Sequence, residues 1–227
     1  MKWIFTPILL LAMLTGTASA SDRVLVGDFS SGLESGLEEW RERSFNGKTT
    51  YSLVDLNGES VLQADANGTA SALYRTLSID LRETPYLHWR WRVDAIFDGV
   101  DELTKAGDDY SARIYVVKRN GLAFWRTRAL NYVWSNHQPV GSRWPNAYAG
   151  GNAQMLALDS GPEMVGQWVT HVQNVREDLR EAFGIDIDVI DGVALMTDAD
   201  DTGGTVKAWY GDIYFSASPQ PLGLTHD

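Results

Sequence analysis

Cysteine is absent from the 227-residue sequence. Its absence excludes disulfide bonds, thiol catalysis and the attachment of a lipid to a cysteine. Short motifs of common enzyme classes are missing as well: the chain has no Gly-x-Ser-x-Gly, His-Glu-x-x-His or phosphate-binding loop sequence. The fold must therefore be held together by its apolar core, to which 44% of the residues can contribute, and no motif identifies a reaction.

Positive charge is scarce. The chain has 19 basic and 30 acidic residues, and loss of Lys2 with a signal peptide would leave a formal charge of 18 − 30 = −12. A chain this acidic is a poor candidate for binding nucleic acid or anionic membrane surfaces. The simplest interpretation of the negative charge is solubility.

The first twenty residues have the pattern of a secretory signal peptide. Lys2 is followed by the apolar run Trp3–Leu14, which is too short to span a membrane, and Ala18-Ser19-Ala20 fits the cleavage rule for small residues. We expect residues 1–20 to be removed and the mature chain to begin at Ser21. The predicted location is the bacterial periplasm or the extracellular space.

About ten short alternating segments separated by turn sequences predict an all-β sandwich. Val193–Phe215 illustrates the pattern, with two predicted strands joined by an acidic loop that contains glycines. Asn57-Gly58 predicts a hairpin, and Asn174, Glu177 and Gly184 predict one short helix near 175–184. The predicted organisation is a single domain over 21–218 followed by a flexible tail over 219–227.

Several segments, in order, resemble the bacterial family catalogued as domain of unknown function 3047. They are GLEEWRERSFNGKTTYSL, TPYLHWRWRV, DDYSARIYVV, NYVWS, WVTHVQNVREDLREAFG and ALMTDADDTGG...AWYGDIYF. The resemblance covers nearly all of the mature chain. It implies a jelly-roll sandwich similar to carbohydrate-binding modules and galactose-binding-like domains, and no established activity. His171 stands where the family pattern has an acidic residue.

Two predicted strands carry arginines on their polar faces. Period-two alternation in Tyr86–Ala95 and Asp108–Lys118 separates each apolar set from a polar one. If the strands are neighbours, one sheet face would carry Arg90, Arg92, Asp109, Arg113 and Tyr115. Arginine forks bind carboxylates and sulfates, so this face would suit an anionic glycan. The alternative is a structural ion-pair network in which Asp109 pairs with Arg113 or Arg92.

A second candidate region follows in the chain. In NYVWS, Tyr132 and Trp134 are predicted to lie in the core and Asn131 on the polar face. The long loop over 136–152 carries Arg143 and Trp144, a mixture typical of loops that contact ligands. Ordinary loop packing is the alternative.

The acidic loop offers a candidate metal site. Asp198, Asp200 and Asp201, together with loop carbonyls, could hold Ca²⁺, which takes six to eight oxygen ligands. The EF-hand pattern is not met, because Thr202 and Trp209 occupy ligand positions. The alternatives are capping of the turn by the aspartates or contact with the arginine face. Calcium is the only cofactor that the sequence suggests.

His171 could act as an acid or base with nearby carboxylates such as Asp178, although a lone strand histidine is more often structural. The leading hypothesis is an exported glycan-binding module of the cell envelope that uses the polar sheet face and the loop at 143–148. A rival is a polysaccharide hydrolase or lyase, with His171, Asp109 or Asp198 as acid/base candidates. A third is a scaffold for an envelope protein, and whether the chain is an enzyme stays open.

Overall fold

The computed structural model describes residues 23–32, 35–119 and 127–221. The predicted signal peptide over 1–20 lies outside these residues, as does most of the predicted tail over 219–227. The described residues form fourteen strands in two sheets of seven, which confirms the predicted all-β jelly-roll sandwich. None of the helices in the described residues has the length and apolar character needed to cross a membrane.

Sheet A is entirely antiparallel and is built around β6. The strands are β1 (Arg23–Gly27), β3 (Thr50–Asp55), β4 (Ser60–Asn67), β6 (Tyr86–Val93), β11 (Val169–Asn174), β13 (Thr205–Tyr210) and β14 (Ile213–Ser216). They follow the order β1-β14-β6-β13-β4-β3, and β11 also pairs with β6. One edge of β6 is therefore paired with β11, while β13 and β14 pair with different parts of β6.

Sheet B has the order β2-β5-β12-β7-β8-β10-β9. The strands are β2 (Arg41–Asn46), β5 (Ala70–Asp80), β7 (Arg113–Lys118), β8 (Arg128–Ser135), β9 (Arg143–Asn146), β10 (Gly150–Ser160) and β12 (Val189–Asp198). Only β8 and β10 pair in parallel among these strands. The segment predicted as a loop over 136–152 contains β9, which pairs with the edge of β10.

Helical structure is limited to short segments in the described residues. These are α1 (Ser35–Glu38), a 3₁₀ turn (Lys105–Gly107) and α2 (Val175–Phe183). The side chain of Asn174 accepts a hydrogen bond from the Glu177 amide, and Gly184 ends α2 with a φ of 68°. The predicted helix near 175–184 is therefore confirmed, including both of its end signals.

The core lies between the two sheets, because each sheet turns one set of alternate side chains inward. In β6 the buried set is Leu87, Trp89, Trp91 and Val93. The facing strands of sheet B contribute buried residues such as Ile114 and Leu130. As a result, the remaining side chains of sheets A and B point to opposite sides of the sandwich.

Two turns show how local sequence sets the strand geometry. Asn57 and Gly58 have φ values of 60° and 86°, so they form the left-handed turn that joins β3 to β4 as predicted. Between β13 and β14, Gly211 and Asp212 interrupt the alternation. Trp209 points outward, whereas Ile213 is buried, although uninterrupted alternation would put these two residues on the same face.

Candidate ligand-binding site

The arginines predicted to share one sheet face lie on opposite sides of the molecule. Arg90 and Arg92 belong to β6 of sheet A, whereas Arg113 belongs to β7 of sheet B. Both strands bury their apolar sets in the same central core, so their polar sets must point away from each other. The prediction of a single arginine face is therefore wrong, although the face assigned to each of these arginines within its own strand is correct.

A row of cross-strand neighbours runs across the outer face of sheet B. Following the registers from β2 to β9, the row is Arg41, Tyr74, Ala194, Tyr115, Asn131, Met155 and Trp144. Tyr74 and Tyr115 are half-buried and flank the small side chain of Ala194. Because neighbouring strands are about 4.8 Å apart, the backbones of the two tyrosines, two strands from each other, are separated by about 10 Å. We call this seven-residue set the tyrosine row.

Small side chains form a floor beside the tyrosine row. The neighbouring row begins with Arg43 of β2 and continues with Ala72 and Met196. Ala72 and Met196 pack with Ala70 and against Tyr115 in one cluster. The Tyr115 hydroxyl donates to the Met196 sulfur at 3.2 Å. Because the small side chains of Ala72 and Ala194 lie beside Tyr74 and Tyr115, side-chain size predicts a shallow depression in this part of the face, which we call the groove.

Arg113 lies at the end of the groove in a fixed position. Its Nε donates to Asp198 Oδ1 at 3.1 Å, a second guanidinium nitrogen pairs with the other oxygen of Asp198, and Nη2 donates to the Asp108 carbonyl at 2.9 Å. The guanidinium also lies over the rings of Tyr110 and Tyr115, at 4.6 and 6.0 Å. The Arg113 and Asp198 side chains are 4% and 2% exposed, so this is a buried, charge-assisted pair that orders the surrounding loops.

Asp109 does not pair with either arginine as the ion-pair alternative predicted. It accepts hydrogen bonds from the amides of Asp201 and Thr202, at 3.3 and 2.7 Å. Ala112 joins the central core as the predicted alternation requires, but the residues before it lie outside β7 and the alternation fails at Tyr110. Tyr110 consequently packs in a separate buried cluster with Val133 rather than in the central core.

The predicted metal ligands are only partly brought together. Asp109, Asp198 and Asp200 place carboxylate oxygens within 4.8 Å of one another, whereas Asp201 instead accepts a hydrogen bond from the Tyr148 hydroxyl at 2.5 Å. The oxygens of Asp198 are occupied by Arg113 and the Tyr110 amide. Because a cation would have to compete with Arg113 for them, the arrangement does not fit Ca²⁺.

Loops wall one end of the groove. Asn146 Nδ2 donates to the Asp108 carboxylate at 3.0 Å, and Lys105 lies 5.0 Å from the centre of the Tyr148 ring. The hydrogen bond to Asp201 raises the pKa of Tyr148 to about 12. Burial raises the pKa of Asp108, partly offset by the nearby Arg113 cation. These contacts join the loops after β9 and β12 to the loop before β7.

Asn131 supplies an unused acceptor in the middle of the tyrosine row. Its Nδ2 donates to the Gln154 carbonyl at 3.1 Å, while its Oδ1 is buried without a hydrogen-bond partner among the described residues. Asn131 is only 1% exposed. A buried acceptor without a partner is costly, and this one is out of a ligand's reach while the surrounding side chains keep their positions.

The remaining candidates lie at an edge of the sandwich. His171 Nε2 is 2.7 Å from Asp159 Oδ2, which also accepts the Trp91 indole N–H at 2.6 Å. Arg143 pairs with Asp178 and Glu181 of α2. These contacts connect the two sheets or the helix to a sheet, and His171 is not brought to Asp109 or Asp198. Trp144 lies at the end of the tyrosine row and is 6% exposed.

Sequence reasoning did not single out Tyr74, Ala194 or Met196. The period-two alternation in β5 places Tyr74 on the side of the strand opposite Leu73, and this much of its position could be predicted. The sequence does not show that β5 pairs with β12 and β12 with β7. These two pairings bring Tyr74 and Tyr115 into one row.

Solved structures with similar folds include a family 11 carbohydrate-binding module from Clostridium thermocellum in complex with a β-1,3-1,4-mixed-linked tetrasaccharide. It has 13% identity and a TM-score of 0.47 over 88% of this chain and 98% of that one. A cellulase derived from Cel12A of Rhodothermus marinus has 11% identity and a TM-score of 0.46, over 84% and 95%. A family 29 carbohydrate-binding module has 11% identity and a TM-score of 0.39, over 86% and 92%. Similarities this low carry no argument about function.

No curated protein matches the chain. The sequence profile of one family, described as a protein of unknown function (DUF3047), matches residues 38–214. This match begins before β2 and ends within β14, and so includes the tyrosine row and the Arg113–Asp198 pair. The chain therefore belongs to the DUF3047 family of proteins of unknown function.

Proposed function

We propose that this protein is an exported glycan-binding β-sandwich and that the groove along the tyrosine row binds a neutral glycan. The single observation that carries the proposal is the cross-strand row in which Tyr74 and Tyr115 flank Ala194 and lead to Asn131. Aromatic rings offer faces on which sugar rings stack, and the intervening alanine leaves space for the sugar between them.

The charges at the Tyr115 end of the groove favour a neutral ligand over an anionic one. Arg113, the cation at this end, is already paired with Asp198 and lies near Asp108, whereas the exposed Arg41 and Arg43 lie at the opposite end, on the edge strand β2. Carboxylates accept hydrogen bonds from hydroxyl groups but repel acidic sugars. The anionic glycan expected for a combined arginine face is therefore not the ligand that we propose for this groove.

Affinity electrophoresis tests the proposal. The mature chain is run through gels that contain lichenan, xylan, galactomannan or amylopectin, and we expect at least one of them to retard it. Tyr74→Ala and Tyr115→Ala should lower the affinity by about ten-fold or more, as expected for aromatic anchors. Tyr86→Ala, on the outer face of sheet A, is the matched control and should leave the retardation unchanged.

The same experiment separates the rival functions. Release of reducing ends from the retarding polysaccharide over time would indicate a hydrolase, for which Asp108 has the raised pKa expected of a general acid. An absence of retardation by any of these polysaccharides would contradict the proposed groove and favour a protein partner.

The proposed export is supported by the basic residue, apolar run and small-residue cleavage pattern over 1–20. N-terminal sequencing of the protein recovered from the periplasm or the culture medium of a bacterial host tests this part. A chain that begins at Ser21 is the expected result, and an uncleaved chain retained in the cytoplasm would contradict export.

A further inference from the structure

The outer face of sheet A carries two arginines that the proposed groove does not use. Arg90 and Arg92 project from β6, and the registers place Arg92 beside Trp209 of β13, which lies beside Gln63 of β4. Trp168 directly precedes β11, the strand on the other edge of β6. Two indoles therefore border β6 on this face, one on each side. We call Arg90, Arg92, Trp168 and Trp209 the arginine face.

Both guanidinium groups are held against indole rings. The Arg90 guanidinium carbon lies 4.5 Å from the centre of the Trp168 ring, and that of Arg92 lies 5.3 Å from the centre of the Trp209 ring. Gly211 leaves room for Arg90, since a Cβ at this position would come within 2.6 Å of Arg90 Nε. The cations are therefore oriented before a ligand binds, which reduces the entropy lost on binding.

The Trp209 ring is itself fixed. Its indole N–H donates to Gln63 Oε1 at 2.9 Å, and the side chain is half-buried. Lys207, two residues earlier on the same face, pairs with Asp65. The charge of Lys207 is therefore balanced locally, and the cationic character of this face comes from the arginines.

The two arginines differ in their pairing. Arg90 forms an ion pair with Glu59, whereas Arg92 forms none with the residues that the structure describes. The Nε atom of Arg92 is also buried without a hydrogen-bond partner there. The two terminal nitrogens of Arg92 are not buried and form no hydrogen bond with the described residues, so they are available to a carboxylate or sulfate.

We infer that the arginine face binds an acidic saccharide, with the carboxylate or sulfate group on Arg92 and the sugar ring against the neighbouring indoles. A carboxylate can accept two parallel hydrogen bonds from a guanidinium, which a single hydroxyl cannot. Arg90 adds a second, partly neutralised cation on the same strand. This site lies on the opposite side of the sandwich from the tyrosine row, so the inference does not depend on the proposed function.

Isothermal titration calorimetry at low salt tests the inference with trigalacturonate, its fully methyl-esterified neutral form, and sodium sulfate. We expect the acidic trisaccharide to bind about ten-fold or more tightly than the ester. Arg92→Gln should abolish this preference, and Arg92→Lys, which keeps the charge but not the fork, should retain only part of it. Arg82→Gln makes the same charge change at an exposed ion pair with Asp80 and should have no effect.

Equal binding of the acid and the ester would overturn the inference. An acid preference that survives in a folded Arg92→Gln variant would do the same, and Arg92→Lys provides the readout if Arg92→Gln does not fold. Sulfate that binds as tightly as the trisaccharide would show a site for free anions and contradict saccharide recognition. Tyr74→Ala and Tyr115→Ala should leave the acid preference intact, so a failure of this inference is distinguishable from a failure of the groove.

Discussion

Removal of the Asp198 carboxylate is expected to destabilise the fold strongly. In Asp198→Ala, Arg113 would remain buried without its main counterion, and the Tyr110 amide would lose its acceptor. Breaking a buried ion pair costs about 3–5 kcal/mol. Asp108 stays 3.7 Å from the Arg113 guanidinium and offsets part of this loss. We therefore expect the free energy of unfolding to fall by about 3 kcal/mol, at the lower end of that range.

Urea unfolding and thermal unfolding measure this change. A loss of about 3 kcal/mol corresponds to a midpoint lower by about 6–12 °C for a domain of this size. The matched control is Asp188→Ala, because Asp188 and its partner Arg176 are 42% and 43% exposed, and an exposed pair contributes at most about 1 kcal/mol.

A double variant tests the cause of the destabilisation. Arg113→Met combined with Asp198→Asn removes both charges and keeps an acceptor for the Tyr110 amide, so it should be more stable than Asp198→Ala. If Asp198→Ala costs no more than Asp188→Ala, the pair is not the anchor of the surrounding loops and the reasoning is refuted.

Three further predictions concern stability and ions. Burial raises the pKa of Asp178, so the folded protein binds a proton at this carboxyl group more tightly than the unfolded chain does. The stability that this protonation contributes is therefore lost as the pH rises through the folded-state pKa. The stability of Asp178→Asn relative to wild type should therefore increase as the pH rises from the ordinary carboxyl range to neutrality. Urea unfolding at each pH measures the two free energies of unfolding, and a difference between them that does not change with pH would contradict the prediction. Asp159→Ala leaves the Trp91 indole N–H and His171 without their shared acceptor and should cost about 1–3 kcal/mol, whereas Asp188→Ala again serves as the exposed control. Calcium or EDTA should leave the thermal midpoint unchanged, because Arg113 and backbone amides occupy the oxygens of Asp198 and Asp109; a clear rise with calcium would refute that account.

The sequence predicted those features that depend on alternation within one strand. The inward positions of Trp89, Trp91 and Tyr132 and the outward position of Asn131 were correct, because side chains alternate along any strand regardless of its neighbours. The ends of α2 were equally local. Both of its signals, the Asn174 cap and Gly184, act within a few residues.

Strand pairing and interruptions of alternation could not be predicted in the same way. Nothing in the local patterns of β6 and β7 indicated that they belong to different sheets, and the arginines were therefore assigned to one face. Gly211-Asp212 reverses the alternation because Asp212 turns the chain and accepts the amides of Phe29 and Ser30, both at 2.8 Å. These contacts join residues about 180 positions apart, so no short window contains them.

The same limit applies to the candidate site. Tyr74 and Tyr115 each belong to an alternating segment, yet only the order β5-β12-β7 places Ala194 between them. The partners of Asp198 and His171 likewise became evident only from the packing. Residue types suggested a polar sheet face that binds sugars, but the topology determines which side chains form it.

The central claim is tested most directly by NMR of a mature chain with ¹³C-labelled alanine and methionine methyl groups. The chain is titrated with an oligosaccharide of the neutral polysaccharide that retards it most. The account predicts shifts concentrated at Ala72, Ala194 and Met196, which line the groove, and none at the buried Ala208 of sheet A. Saturable binding that leaves those three methyl groups unshifted would contradict the assignment of the glycan site to the outer face of sheet B.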